Sequence, residues 1–339
     1  MRLKTMVISA ALSALFAGGA MAQQVVDVHC HNILPDFVNS LDAYNAVLDE
    51  TFPLPEWNVE SHLAFMDSAG IRTSVLSMPA PQPYFGNADE CHNIIRRYNE
   101  QTAAICREYS ERLKFVAALP LPDVQLSIKE VTYAFDTLGA VGVKLATNSR
   151  GQYLGDAELD SLMQVLNSHK AVVVIHPHKP VPVNDNIIAT APLAIYEYPA
   201  ETTRTIINLI ARDVPVRYPN IKWIIPHCGS FLPMAIPRMK AVLPVMVAKG
   251  LMQTVDFDAN LARLYYDLAG APSAETIESM LTITTPDHIM YGSDYPYQPA
   301  EALVSGIHRL EQMLSNNRQL SQYKSLFLTD NAVKIFNLP

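Results

Sequence analysis

Five polar side chains stand at the ends of apolar runs, where they could do chemistry together. The run 25–31 (VVDVHCH) is rich in β-branched residues and closes in two histidines one residue apart. Side chains in a strand alternate faces with a period of two, so Asp27, His29 and His31 are predicted to point the same way. Two imidazoles leaving one strand end on the same side can share a divalent ion. Packing or solvation explains an isolated His-x-His equally well. Here, however, the pattern recurs: 171–176 (AVVVIH), 221–227 (IKWIIPH) and 288–294 (HIMYGSD) end in His176, His227 and Asp294. Buried imidazoles and carboxylates cost free energy without partners, so core packing alone does not select this repetition. Histidines with a carboxylate suit one borderline divalent ion, zinc foremost, with manganese, cobalt or iron as further candidates. Such a site keeps one position open for water or substrate.

The elements that must position these residues alternate along the chain. Strand signals fall at 25–31, 71–78, 114–119, 140–146, 171–176, 221–227, 264–268 and 288–294. Helical signals lie at 59–69, 87–112, 123–138, 157–168, 200–212, 234–248, 273–282, 301–315 and 323–336. Gly70 and Gly139 stop two of these helices, and Asp123 and Asp156 are placed as N-caps. Pro237 and Pro244 are predicted to break or shorten the helix around 234–248. The proline- and asparagine-rich connection 179–198 is predicted to be a long loop. No glycine-rich turn follows the first strand, so the dinucleotide fingerprint is missing. Eight strands separated by helices fit an α/β fold, a (β/α)8 TIM-type barrel, as one domain over residues 23–339. In such a barrel, reactive groups gather at the C-terminal strand ends.

The 339 residues are 49% hydrophobic and 17% charged, enough to bury a large core. A net charge of −8 argues against nucleic acid or an anionic membrane as partner. Residues 1–22 have the layout of an export signal: Arg2 and Lys4, an apolar stretch over 6–16, then Ala20-Met21-Ala22 as an A-x-A cleavage site. The mature chain is expected to start at Gln23 and to be periplasmic or secreted. No later stretch reads as a membrane span. The four cysteines are expected to be buried free thiols, since Cys91 and Cys106 stand fifteen residues apart on one predicted helix. His62, His92, His169, His288 and His308 lie on or beside helices or at a strand start, and are assigned to packing or the surface.

Taken together, these motifs resemble the metal-dependent amidohydrolase superfamily, and within it the family typified by aminocarboxymuconate-semialdehyde decarboxylase. The resemblance rests on Asp27-Val-His-Cys-His-Asn-Ile-Leu-Pro35, Gly142-Val-Lys-Leu, His176-Pro, His227-Cys-Gly and Gly292-Ser-Asp-Tyr-Pro296, in that order over residues 25 to 338. It implies that His29, His31, His176 and Asp294 hold the metal, with His227 as a non-ligand acid/base. It also implies an activity: decarboxylation, with some hydrolases and hydratases in the family. Arg238 falls where the aminocarboxymuconate enzyme carries a substrate-binding arginine donated across a dimer, which implies a homodimer.

The departures from that family shape the expected substrate. Residues 32–71 contain no Arg or Lys, where the typical enzyme carries an arginine that clamps a carboxylate. His178 stands where an aromatic residue is usual, and it joins Arg238 as a candidate substrate contact. Lys144 is either a third such contact in the barrel mouth or a structural ion pair. The expected substrate is therefore a small aromatic or enoic monocarboxylic acid. Hydroxybenzoates of the 6-methylsalicylate or γ-resorcylate kind are the nearest match. Asp294 and His227 are the candidate proton carriers. Two alternatives stand beside this: a hydrolase of a lactone, ester or amide that activates water at the same ion, and an exported binding protein of the same fold.

Overall fold

The computed structural model describes residues 24–183, 191–270 and 272–339. The segment assigned to export, 1–22, lies outside them. Among the described residues, eight parallel strands form one sheet in chain order. They are β1 Val25–His31, β2 Ile71–Ser77, β3 Leu113–Ala118, β4 Gly142–Ala146, β5 Val172–His176, β6 Lys222–Ile225, β7 Leu264–Asp267 and β8 Ile289–Met290. Helices connect them, and the expected (β/α)8 barrel is the observed one. Strands covered on both faces read as continuous apolar runs, and β1 and β5 are buried along their whole length.

The strand β8 is short, and the segment after it completes closure against β1. The Val28 amide donates to the Tyr291 carbonyl at 3.0 Å. The Ser293 and Asp294 amides both donate to the His29 carbonyl, at 3.2 and 2.8 Å, and the His31 amide donates to the Tyr295 carbonyl at 2.8 Å. Asp294 sits at φ 60° within this segment. The sequence therefore overstates β8, because residues 291–294 follow β1 through irregular bonds rather than as a regular ladder.

The barrel interior is filled by Val26, Val28, Val75, Val116, Val174, Ile224 and Met290. The helix Asn331–Phe336 closes the bottom, with Ala332, Ile335 and Phe336 in that same cluster. The register of β1 shifts between Asp27 and Cys30. This irregularity corrects the expectation that Asp27 shares a face with the histidines. Asp27 turns to the closing seam and accepts hydrogen bonds from the Ser293 amide (3.0 Å) and hydroxyl (2.5 Å) and from the His29 amide (3.1 Å).

Local signals place the helices well. Asn58 and Asp123 cap theirs by accepting from the Ser61 and Leu126 amides, and Gly70 ends the first at φ 69°. Two proline rules are overridden. The helix Leu232–Ala248 runs through Pro237 and Pro244, both on its exposed side, where the lost bonds face solvent. The helix Leu193–Ala211 runs through Pro199, so the expected loop 179–198 is shorter by several residues. The Pro199 carbonyl accepts from the Thr203 hydroxyl at 2.8 Å. All four cysteines are free and buried, and Trp223 is fully buried. By length and composition alone the stretch His227–Ala248 is apolar enough to cross a membrane, but it opens with a turn in which His227, Cys228 and Ser230 have positive φ, and the helix proper is Leu232–Ala248.

The crossing of β4 and β5 leaves no room for a side chain at Gly142. A Cβ there would meet the Val172 carbonyl oxygen at 2.5 Å and Val116 Cγ1 at 3.1 Å. Gly142→Ala is expected to destabilise the fold by about 1–3 kcal/mol through overpacking. Calorimetry of wild type and variant checks this; an unchanged thermal midpoint would show that the strand spacing yields freely.

Candidate metal centre and its cavity

At the C-terminal mouth of the barrel, His29, His31, His176 and Asp294 each bring one ligand atom within 4.8 Å of the others. The strand ends β1 and β5 position the three rings, and the seam after β8 positions the carboxylate. His31 Nε2 lies 3.2 Å and His29 Nε2 3.4 Å from Asp294 Oδ1. Donors bound tetrahedrally about 2.1 Å from one ion stand about 3.4 Å apart, so the spacing fits a single small divalent ion.

The remaining ring nitrogens are already committed. His29 Nδ1 donates to Asp267 Oδ2 at 2.8 Å, His31 Nδ1 to Ser77 Oγ at 3.0 Å, and His176 Nδ1 to the Pro177 carbonyl at 2.9 Å. Ser77 passes its own proton to the Cys30 carbonyl at 3.2 Å, which leaves its oxygen free to accept. Partners of this kind set the tautomer, so each Nε2 presents a lone pair to the centre. His29 Nε2 is buried and has no hydrogen-bond partner. A buried polar atom in that state fits a ligand bond better than packing.

The charges tell the same story. Burial alone would lower the His29 ring, but the Asp267 carboxylate outweighs it and raises the ring to about 9. Burial lowers His31, and it lowers His176 well below the usual range with help from the charges of His31 and His29. Burial would raise Asp294, yet hydrogen bonds from His227 and His31 and the charge of His29 hold it well below the usual carboxylate range.

His227 stands beside the cluster, Nε2 3.6 Å from Asp294 Oδ2, with its ring centroid 5.1 Å from that of His29. Its amide donates to Asp267 Oδ1 at 3.0 Å. His227, Cys228 and Ser230 all sit at φ near +55°, a strained turn of the sort that clusters at functional sites. A cavity of about 480 Å³ opens in front, lined by His176, His227 and Asp294 with Glu50, Phe52, Tyr198, Phe231 and Tyr297. The Tyr297 ring meets His31 edge-on at 5.4 Å, and Tyr198 meets His176 at 6.1 Å.

The three candidate substrate contacts fall elsewhere. Lys144 and His178 are buried against each other, Nζ 2.9 Å from Nε2, and neither lines the cavity. Burial lowers Lys144 to about 7, with the Glu50 charge opposing. Arg238 is exposed on the helix Leu232–Ala248 and does not line the cavity of its own chain. Sequence reasoning missed Asp267, which ends β7 in the run LYYD, and Ser77, which ends β2. A polar residue closing an apolar strand was the available signal for both. It also missed Glu50, Phe52, Tyr198 and Tyr297, which line the cavity together with Phe231.

A family model described as amidohydrolase matches residues 26–338. The chain belongs to the amidohydrolase family. A decarboxylase of Penicillium terrestre is 33% identical over 311 residues, covering 86% of this chain and 89% of its own. A 6-methylsalicylic acid decarboxylase of Penicillium expansum is 30% identical over 291 residues, covering 84% and 89%. Among solved structures, an amidohydrolase II superposes with a TM-score of 0.84 at 30% identity, over 93% of this chain and 100% of that one. The 5-carboxyvanillate decarboxylase of Novosphingobium aromaticivorans, solved with manganese and 4-hydroxy-3-methoxy-5-nitrobenzoic acid, shares the fold at TM-score 0.81 and 20% identity, over 95% and 98%. This amidohydrolase is an enzyme of the carboxy-lyase class.

The His29–Asp267 pair has a measurable consequence. Without an ion the ring keeps its proton below about pH 9, and a ligating imidazole must be neutral. Zinc affinity is therefore expected to fall about tenfold per unit as pH drops from 8 to 7. Asp267→Asn should flatten that slope and, at pH 9, weaken zinc about 10- to 100-fold. Chelator competition across pH measures both. An unchanged slope in the variant would mean that Asp267 does not govern the ring.

Proposed function

We propose that this amidohydrolase removes the carboxyl group of a small hydroxybenzoic acid, of the 6-methylsalicylate or γ-resorcylate kind, with one divalent ion held by His29, His31, His176 and Asp294. The observation that carries it is the convergence of three committed imidazoles and one carboxylate at the head of an aromatic-walled cavity. The named decarboxylase relatives support the reaction type. Three imidazoles with a carboxylate suit zinc first and manganese second.

When bound, the ion supplies positive charge that orients the substrate's carboxylate and phenolic oxygens and offsets negative charge growing on them. Phe52, Tyr198, Phe231 and Tyr297 grip the ring and keep water away from it. His227 Nε2 and Asp294 Oδ2 face each other at 3.6 Å on the cavity wall and are the proton donors to the substrate. The proton goes to the ring carbon that bears the carboxylate. The bond from that carbon to the carboxylate then breaks, its electron pair returns to the ring, and CO₂ leaves. The backbone bond from His227 to Asp267 and the strained turn keep the imidazole aimed at that carbon.

The exposed apolar side of the helix Leu232–Ala248, with Met234 80% and Val245 51% accessible, is the face this reading gives to a second copy. Arg238 stands on the same helix, where it would serve the partner's cavity. Reading residues 1–22 as an export signal places the reaction outside the cytoplasm.

Turnover of 6-methylsalicylate or γ-resorcylate in D₂O is expected to leave one deuterium on the vacated carbon, read by mass spectrometry and NMR. Incorporation of ¹⁸O from water into the product, with no CO₂, would favour the hydrolase instead. His227→Asn should lower kcat about 10²- to 10⁴-fold with KM nearly unchanged. Elemental analysis is expected to find roughly one ion per wild-type chain, and Asp294→Ala should lose it.

A further inference from the structure

One buried charge in the cavity wall has no part in the chemistry above. Glu50 lines the cavity and is 5% exposed. Its Oε2 accepts from the Lys179 amide at 2.8 Å and from the Tyr198 hydroxyl at 3.2 Å. Its Oε1 has no donor among the described residues. A buried carboxylate with one oxygen tied and the other free is a poised hydrogen-bond acceptor.

Its distance from the metal cluster matches a substrate. Tyr198 packs its ring on His176 and bonds Glu50 through its hydroxyl. The gap from cluster to Glu50 is thus spanned by one phenol side chain, about the length of a benzoate. Phe52, two residues from Glu50, meets Tyr297 at 5.7 Å, and Tyr297 in turn meets His31. The wall therefore leads from the cluster to Glu50 over two aromatic faces. Among the described residues no Lys or Arg lines the cavity. Lys144 lies off the cavity, where burial lowers it to about 7 against the opposing charge of Glu50.

We propose that Glu50 sets substrate choice: it accepts a hydrogen bond from a second ring hydroxyl and excludes a second carboxylate. Within the hydroxybenzoates, the enzyme then prefers a polyhydroxylated acid over a singly hydroxylated one such as 6-methylsalicylate, and it rejects an aromatic dicarboxylate. This rests on the hydroxybenzoate reading of the site.

The test uses nitro compounds, in which the nitro group stands where the reacting carboxylate would be, so nothing turns over. The zinc-loaded chain is titrated calorimetrically at pH 8.5, above the value of about 7 to which burial raises Glu50. The probes are 2-nitrophenol, four hydroxylated forms of it (3-nitrocatechol, 4-nitroresorcinol, nitrohydroquinone, 2-nitroresorcinol) and 4-hydroxy-3-nitrobenzoate. At least one dihydroxy probe is expected to bind about tenfold more tightly than 2-nitrophenol, and the carboxylated probe about tenfold more weakly. Glu50→Gln, which keeps the shape and loses the charge, should bring the carboxylated probe within about threefold of 2-nitrophenol. The wild-type series stands even where the variant does not fold. If the wild type takes the carboxylated probe as well as 2-nitrophenol, or prefers no dihydroxy probe, this assignment of Glu50 is wrong while the function stands. If none of the probes binds, the hydroxybenzoate reading falls and takes this assignment with it.

Discussion

Barrel closure and site assembly are the same set of bonds. A (β/α)8 barrel must join its last strand to its first, and here β8 contributes two ladder residues. The rest of the seam is made by residues 291–295, whose backbone bonds land on Val28, His29 and His31. The His29 carbonyl takes two amides, one of them from Asp294. Two ligand candidates on β1 and the carboxylate from the other side are thus brought together by the chain's need to satisfy buried backbone groups. Gly292 shows how tight the seam is: a Cβ there would meet His29 Cβ at 2.7 Å. Asp27 locks it with three accepted hydrogen bonds, a burial so deep that its carboxyl is raised to about 7 despite them. A site built on closure is rigid without needing a loop to hold it.

The charge arrangement follows from that geometry. Three imidazoles buried together would not stay in place as cations. Burial keeps His31 and His176 neutral, while Asp267 leaves His29 the basic member. Asp267 also takes the His227 and Ala269 amides on Oδ1. One carboxylate therefore orients a ligand ring with one oxygen and the turn carrying the acid/base with the other. The two functions are coupled through β7, which contributes nothing to the cluster itself.

Much of this was legible in the sequence because it depends on local patterns. A β-branched run ending in His is a strand with a polar tip whatever surrounds it, so His29, His31 and His176 could be placed before any fold was known. Capping residues such as Asp123 and Asp156 act within a single turn, and their helices start where expected. What escaped depends on distant partners. Asp267 looks like one more residue of LYYDL until His29 is set opposite it. The β1 irregularity that turns Asp27 away is imposed by Ser293, 266 residues later. Pro237 and Pro244 are tolerated because that side of their helix faces outward, and no short window reveals which side that is. Glu50 and Phe52 sit between the helices Pro35–Asp42 and Val59–Ala69, with no period to place them. Their position is set by Lys179 and Tyr198 from across the mouth.

The missing cation between residues 32 and 71 acquires a physical meaning from the same contacts. A guanidinium in the cavity wall attracts a second carboxylate on the substrate, and removing it would leave a neutral wall. Here Glu50 occupies that segment, and Lys144, which burial lowers to about 7, is held off the cavity beside His178. Burial raises Glu50 to about 7 against the Lys179 amide and charge, so above that pH the wall carries a charged acceptor. The wall thus presents an acceptor where a carboxylate clamp presents a donor, and the charge of that acceptor reaches a lysine of β4 whose neighbour only the fold supplies.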